Sequence, residues 1–377
     1  MILPAPLSNP CTMLWAWPLA IGAGLAVGAA VSQGVRPLLD PLPGDAGRHR
    51  GLILLTAIAA TVLWWWEAHR QAMLPSDSPA PGCGVTALRF AGHLLLGGFL
   101  AAAAWTDLRH RVIPDAITVP GVLAGLAWNT LFPWTLPPIT RELARSFAPP
   151  TIESDVLGAF GGLAAAGVPA ALGPPPAWLG LVTATFLFAL WWWIGLPPDA
   201  PRDAADGRGR PQIRWLVLIG GSGWILATWL IGGPHWTGLV TALVGLAGAA
   251  GMIWATRIGA SLALGREAMG FGDVTLMAMV GSWLGWQPCV LVCMLGVFIG
   301  LAHGVSQLLR HAESELPFGP SLCLGAVAVV TGWRSLWAAA GPQFARPLEL
   351  ATVVALVIGL TAVTLWGWQR LRGSPPG

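Results

Sequence analysis

The chain has 377 residues, of which 55% are hydrophobic and only 10% charged, whereas an ordinary soluble domain carries roughly a quarter charged residues. That composition excludes a soluble globular protein, and a net charge of +3 is too small to make a nucleic-acid-binding surface. Every basic residue is arginine, tyrosine is absent, and tryptophans gather at the ends of apolar runs, as at Trp64, Trp65, Trp66, Trp191, Trp192 and Trp193, the pattern of interfacial aromatic belts.

The uncharged runs predict an all-α, polytopic integral membrane helix bundle of about 11 spans, since about 20 apolar residues cross a bilayer core. In chain order they fall at 12–35, 51–66, 86–106, 116–132, 177–195, 213–231, 236–256, 273–286, 288–309, 318–337 and 350–368. The first run has no basic stretch before it and reads as a retained helix rather than a cleaved signal. The run 274–309 would be about 54 Å long as one helix, too long for a single crossing. A break is expected at Gly285-Trp286-Gln287-Pro288, because proline cannot continue the hydrogen-bond ladder.

The whole of 1–377 reads as one membrane domain, with a short cytoplasmic loop at 34–50 and additional apolar segments in 133–235. The Gly/Ala-rich stretch 156–172 is expected to be re-entrant or interfacial. Arg36, Arg48, Arg50, Arg109, Arg111, Arg257, Arg266 and Arg310 then mark the cytoplasmic side by the positive-inside rule. The N-terminus lies outside and the C-terminus in the cytoplasm on that count. Arg89, Arg141 and Arg145 fall on the other side and run against it. The five cysteines are scattered and predict neither a disulfide framework nor a metal site; Cys289 and Cys293, four apart, read as packing on one helix face.

Most of the ten aspartates sit in polar loops, but Asp107 ends an apolar run and Asp273 begins one. A carboxylate at such a position is costly unless paired, hydrated or functional. Two carboxyls at one depth can share a proton. One then acts as general base on water while the other donates to a scissile carbonyl, hydrolysing a peptide bond without metal or covalent intermediate. Gly270 and Gly272, flanking Phe271 ahead of Asp273, suit a tight turn and the close approach of an extended substrate. Alone, Gly-x-Gly-Asp is a weak pattern, and a single membrane-edge aspartate reads first as a helix cap or topology residue.

The combination is more specific. Residues 107–121, Asp-Leu-Arg-His-Arg-Val-Ile-Pro-Asp-Ala-Ile-Thr-Val-Pro-Gly, resemble the first active-site segment of type IV prepilin peptidases. Residues 267–287, with Gly270-Phe271-Gly272-Asp273, resemble the second, and Leu316-Pro317-Phe318-Gly319-Pro320 resembles a third, in the family's order. The resemblance implies a catalytic pair of Asp107 and Asp273 with Gly270, Phe271 and Gly272 as the active-site loop. It implies a multi-pass protein of a bacterial-type cytoplasmic membrane, with a prepilin or pseudopilin leader as substrate, the lipid bilayer around it, no nucleic-acid partner, no cofactor and no metal. The oligomeric state stays open.

Two departures from the family stand out. The loop 34–50 lacks the cysteine-bearing, zinc-binding insert of many members, so leader cleavage without N-methylation is expected. The stretch 133–235 replaces a short connection. Around the aspartates, Arg109, His110 and Arg111 read as positive-inside anchors, Asp115 as an N-cap after Pro114, and Glu267 as a solvated charge or a group tuning the pair. His93, His235 and His303 read as structural. A presenilin- or signal-peptide-peptidase-like protease also pairs an Asp with Gly-x-Gly-Asp, but calls for a later Pro-Ala-Leu where this chain has Pro-Phe-Gly-Pro. A proton- or cation-coupled transporter would hold its carboxylates near the bilayer midplane, whereas these fall at span ends.

Overall fold

The computed structural model describes residues 16–35, 45–70, 82–137, 178–196, 211–265, 267, 269–309 and 318–344, with isolated positions beyond. Among the described residues the regular structure is wholly helical: α1 (Ala16–Val35), α2 (Asp45–Trp64), α3 (Cys83–His110), α4 (Asp115–Leu131), α5 (Trp178–Gly195), α6 (Pro211–Ile231), α7 (Gly233–Leu264), α8 (Phe271–Leu284), α9 (Trp286–Leu309) and α10 (Gly319–Phe344). A π-helical turn, Trp65–His69, extends α2, and a 3-10 turn, Pro133–Thr135, follows α4. Hydrocarbon offers no partner to a free N–H or C=O, so apolar runs of this length satisfy their backbone as helices.

Among the described residues six helices, α3, α5, α6, α7, α9 and α10, are long and apolar enough to cross a membrane, and shorter apolar helices lie in α1, α2 and α8. The protein is therefore an all-α membrane bundle. The expected loop 34–50 is helical at both ends, since α1 runs to Val35 and α2 begins at Asp45. Of the span at 350–368 only 352, 355, 356 and 359 are described, each helical, and the segment 156–172 lies outside the described residues, as do Arg36, Arg141, Arg145, Arg266 and Arg310. The expected break is present: Gly285 has φ 83° and ends α8, its N–H donating to the Gly281 carbonyl at 2.9 Å. Pro288 then falls in the first turn of α9, where no intrahelical N–H is needed.

The chain divides into two compact units. In the first (1–117, 134–149, 291–339) α1 and α2 lie side by side, each also against α3. Their shared core is Ala20, Ala60, Trp64, Ala68, Phe90 and Leu94. The Trp64 and Phe90 rings meet edge-on at 5.2 Å, the geometry the ring quadrupoles favour. Trp66 Nε1 in the π-helical turn donates to the Thr331 carbonyl of α10 at 2.5 Å.

In the second unit (118–133, 150–290, 340–377) α7 and α8 are the closest pair. A Cβ at Gly281 would stand 2.6 Å from the Gly245 carbonyl carbon and 2.9 Å from the Ala249 Cβ, so two backbones pass in contact where only glycine fits, as in small-residue interfaces of membrane helices. From Asp273 to Leu284 every residue of α8 is buried, which is why α8 is apolar all round rather than on one face. Its 14 residues span about 21 Å, less than a bilayer core of roughly 30 Å. Helix α4 holds the far end of α8: Asn129 Nδ2 donates to the Ser282 and Trp283 carbonyls at 2.7 and 3.0 Å, and Trp283 Nε1 donates to the Gly121 carbonyl at 2.9 Å.

Candidate active site

Asp107 occupies the last turn of α3 and is 6% exposed. The carbonyl end of its own helix disfavours a carboxylate there. Another helix supplies the compensation, because the Gly319 backbone N–H at the start of α10 donates to the Asp107 carboxylate. The approach is close: a Cβ on Gly319 would sit 3.2 Å from the Asp107 Cγ and 3.0 Å from the Ile113 Cδ1. The third resembling segment thus reaches the first through Gly319, while Leu316 and Pro317 lie outside the described residues. After Asp107 the chain turns through Arg111, the one non-glycine residue with positive φ among those described (φ 55°), whose N–H donates to the Asp107 main-chain carbonyl at 2.8 Å. A side chain in that left-handed region costs about 1–2 kcal/mol, spent here on stopping α3 one turn past Asp107.

Asp273 occupies the first turn of α8 and is 7% exposed. Free N–H groups and the helix dipole favour a carboxylate at this end. Gly270 is the N-cap, in ordinary extended conformation (φ −66°, ψ 149°). Its backbone therefore does not require glycine, contrary to the expectation of a tight turn. The space around it is open, with only the Gly272 nitrogen, at 3.9 Å, near an added Cβ. Phe271 is 38% exposed, and the Thr275 hydroxyl donates to the Gly272 carbonyl at 3.0 Å. The loop is gripped from α7: Arg257 Nε donates to the Met269 carbonyl at 2.9 Å, its Nη2 pairs with Glu267, and its guanidinium stands 5.9 Å from the centre of the Phe271 ring. Glu267 is accordingly an ion-pair partner of Arg257 that also stays a solvated charge, with 79% of its side-chain surface exposed.

The remaining candidates sort by their surroundings. Arg109 lies over Trp105 at 5.5 Å and His110 is exposed, both compatible with an interfacial anchor. Asp115 is the exposed first residue of α4 rather than its cap; the Pro114 carbonyl accepts the Ile117 N–H at 3.0 Å. His235 Nδ1 donates to the Thr130 carbonyl at 2.7 Å, a structural role. Among the described residues no three His, Cys, Asp or Glu side chains gather as a metal site. Cys289, Cys293 and Cys323 are free thiols, but Cys83 is disulfide-bonded; the scattered spacing gave no sign of that bond.

One cluster escapes sequence reasoning. Glu67, Arg89 and His93 are all buried in the first unit. Glu67 Oε1 contacts His93 Nδ1, and Arg89 Nη2 donates to the Trp134 carbonyl at 3.2 Å. Arg89 is therefore a buried charge near the Cys83 end of α3, the end opposite Asp107, and it still counts against the orientation. Burial among apolar helices works against its charge, and the nearby Glu67 offsets part of that cost, the kind of pairing seen for intramembrane ions. Glu67 lies in the π-helical turn, and His93 and Arg89 are four apart on one face of α3. Only that folded turn brings the three together, so no motif or spacing announces them.

Against known proteins, residues 213–305 match the family model described as the type IV leader peptidase family. The match contains Asp273 and its loop but not Asp107, and it begins inside the stretch 133–235 read as additional. A prepilin leader peptidase/N-methyltransferase of Aeromonas salmonicida is 34% identical over 110 residues, 28% of this chain and 35% of the relative. One from Pseudomonas aeruginosa is 43% identical over 89 residues, 22% and 28% respectively. A type 4 prepilin-like proteins leader peptide-processing enzyme of enterotoxigenic Escherichia coli is 30% identical over 149 residues, 32% and 53%. The chain thus spans about a third of the first relatives it matches. No solved structure matches it.

Proposed function

We propose, for a chain that belongs through residues 213–305 to the type IV leader peptidase family, that it is a membrane aspartic endopeptidase removing leaders from prepilins or pseudopilins at the cytoplasmic membrane face. The observation that carries this reading is the pair of buried carboxylates at helix ends, Asp107 held by the Gly319 N–H and Asp273 at the head of α8 inside the matched segment. Both ends of the chemistry are served if the two carboxyls meet. One takes a proton from a water molecule, whose oxygen attacks the scissile carbonyl carbon. The other, protonated, donates to the carbonyl oxygen. The resulting diol collapses as its C–N bond breaks, and a proton passes to the leaving amine. No step calls for a metal or a covalent enzyme intermediate.

The orientation that brings this chemistry to the cytoplasm has the N-terminus outside and the C-terminus inside, in a bacterial-type cytoplasmic membrane. Besides the arginines it is supported by Cys83, which opens α3 and is disulfide-bonded. Disulfides persist on the oxidising side, which leaves Asp107, at the other end of the same helix, for the cytoplasmic side.

The test is a purified full-length chain in detergent, incubated with a synthetic peptide spanning a prepilin leader junction and followed by mass spectrometry. Expected are a single cut at the junction, insensitivity to chelators, and, in cells without another methylase, a mature prepilin N-terminus free of an added methyl group. An intact peptide would sink the peptidase reading. A methylated product would sink only the restriction to cleavage, which rests on the missing cysteines of 34–50.

A further inference from the structure

Helix α7 continues past the bilayer-length part of its run to Leu264, and Gly265, in the left-handed region (φ 62°), caps it. The chain then doubles back beside the last turns of α7, so that Met269 comes against Arg257, twelve residues earlier. Three groups of the returning segment meet that one guanidinium: the Met269 carbonyl, the Glu267 carboxylate and the Phe271 ring. Arg257 keeps 21% of its side-chain surface, whereas Glu267 keeps 79%. The ion pair is thus exposed, which limits what it contributes, while the charged donor on the Met269 carbonyl ties the guanidinium to the backbone itself. Met269 immediately precedes Gly270, the N-cap of α8, which has no side chain with which to cap its own helix. The direction in which α8 starts is therefore set from outside, and Asp273 follows within its first turn.

We propose that Arg257 is a positioning residue for leader hydrolysis, fixing through Met269 and Phe271 where the first turn of α8 presents Asp273. The proposal rests on the reading of Asp273 as catalytic. It assigns Arg257 a role apart from positive-inside anchoring, which any surface arginine would fill equally well. A misplacement of about 1 Å at a reacting group can cost on the order of a hundredfold in rate, so the loss should fall on kcat rather than on substrate binding.

Two measurements on the full-length protein separate this from a merely structural role. In the peptide assay, Arg257→Ala is expected to lower kcat about tenfold or more with KM nearly unchanged. Arg257→Lys, which keeps a charged donor of similar reach, recovers most of the loss, and Glu267→Gln stays close to wild type. In the second, the rate of maleimide labelling of Gly270→Cys rises several-fold, on the order of the loosening implied by the lost carbonyl contact, when Arg257→Ala is added. Unchanged kcat in Arg257→Ala, or a Glu267→Gln loss as large as that of Arg257→Ala, would overturn the proposal, as would an unchanged labelling rate. A wild-type chain that fails to cleave would overturn the underlying peptidase reading, and the labelling would still decide whether Arg257 holds the turn.

Discussion

Asp107→Asn and Asp273→Asn are each expected to abolish leader removal, by a factor of about 10² to 10⁴ or more, the range that positioned acid–base groups contribute. An amide neither takes a proton from water nor returns one to the leaving amine. The fold should survive both changes. At 107 the amide oxygen still accepts the Gly319 N–H that holds the present carboxylate. At 273 an asparagine keeps an acceptor in the first turn of α8, where one is favoured. Asp115→Asn serves as the control, because Asp115 is exposed at the start of α4 and has no part in the proposed chemistry; it should cleave at close to the parent rate. Cleavage is read by mass spectrometry against equal amounts of purified protein, with thermal unfolding in detergent to confirm that each variant is folded. Near-parent cleavage by either asparagine variant would remove that aspartate from the mechanism.

Gly319→Ala is expected to be nearly as damaging, although it adds one methyl group and touches no charge. That methyl would stand 3.2 Å from the Asp107 Cγ and 3.0 Å from the Ile113 Cδ1, inside the roughly 3.5–4.0 Å at which carbon atoms rest. Neither neighbour can yield freely, since Asp107 and Ile113 are both buried. Overpacking of this kind costs about 1–3 kcal/mol. The larger consequence is that the carboxylate must turn away from the N–H of α10. A loss of cleavage of about a hundredfold, with α-helical content and membrane insertion intact, is the expected result. Full activity in Gly319→Ala would mean that Asp107 need not occupy its present position during the reaction.

What could be read from the residues alone follows from which signals are local. Long uncharged runs report helices directly, because a helix in hydrocarbon has no alternative, and the break at Gly285 was marked by the proline three residues on. Asp107 and Asp273 stood out because each interrupts an apolar run at its edge. Partners distant in sequence carried no such mark. Nothing near Gly319 says that its missing side chain makes room for Asp107. Glu67 comes into line with Arg89 and His93 only through a π-helical turn, whose extra residue shifts the face that a regular helix would present. The start of α2 at Asp45 was missed because 45–50 is polar and resembles loop, yet a helix outside the hydrocarbon needs no apolar residues. Gly270 was expected to be required by its backbone angles and is not; the open space beside it is consistent with the close approach of a substrate chain.

The central claim is that Asp107 and Asp273 act as one site, and the most direct measurement is to ask whether the two positions meet. Asp107→Cys and Asp273→Cys are combined in a chain whose free cysteines, Cys289, Cys293 and Cys323, are replaced by alanine, and membranes are treated with a mild oxidant or a short bifunctional thiol reagent. Two cysteines join directly only when their Cα atoms lie within about 7 Å, and the short bifunctional reagent covers the somewhat longer separations that carboxyls sharing a proton also allow. The account predicts an intramolecular cross-link in the double variant and none in either single variant. Absence of any cross-link, or labelling of the two positions from opposite sides of the membrane, would contradict it.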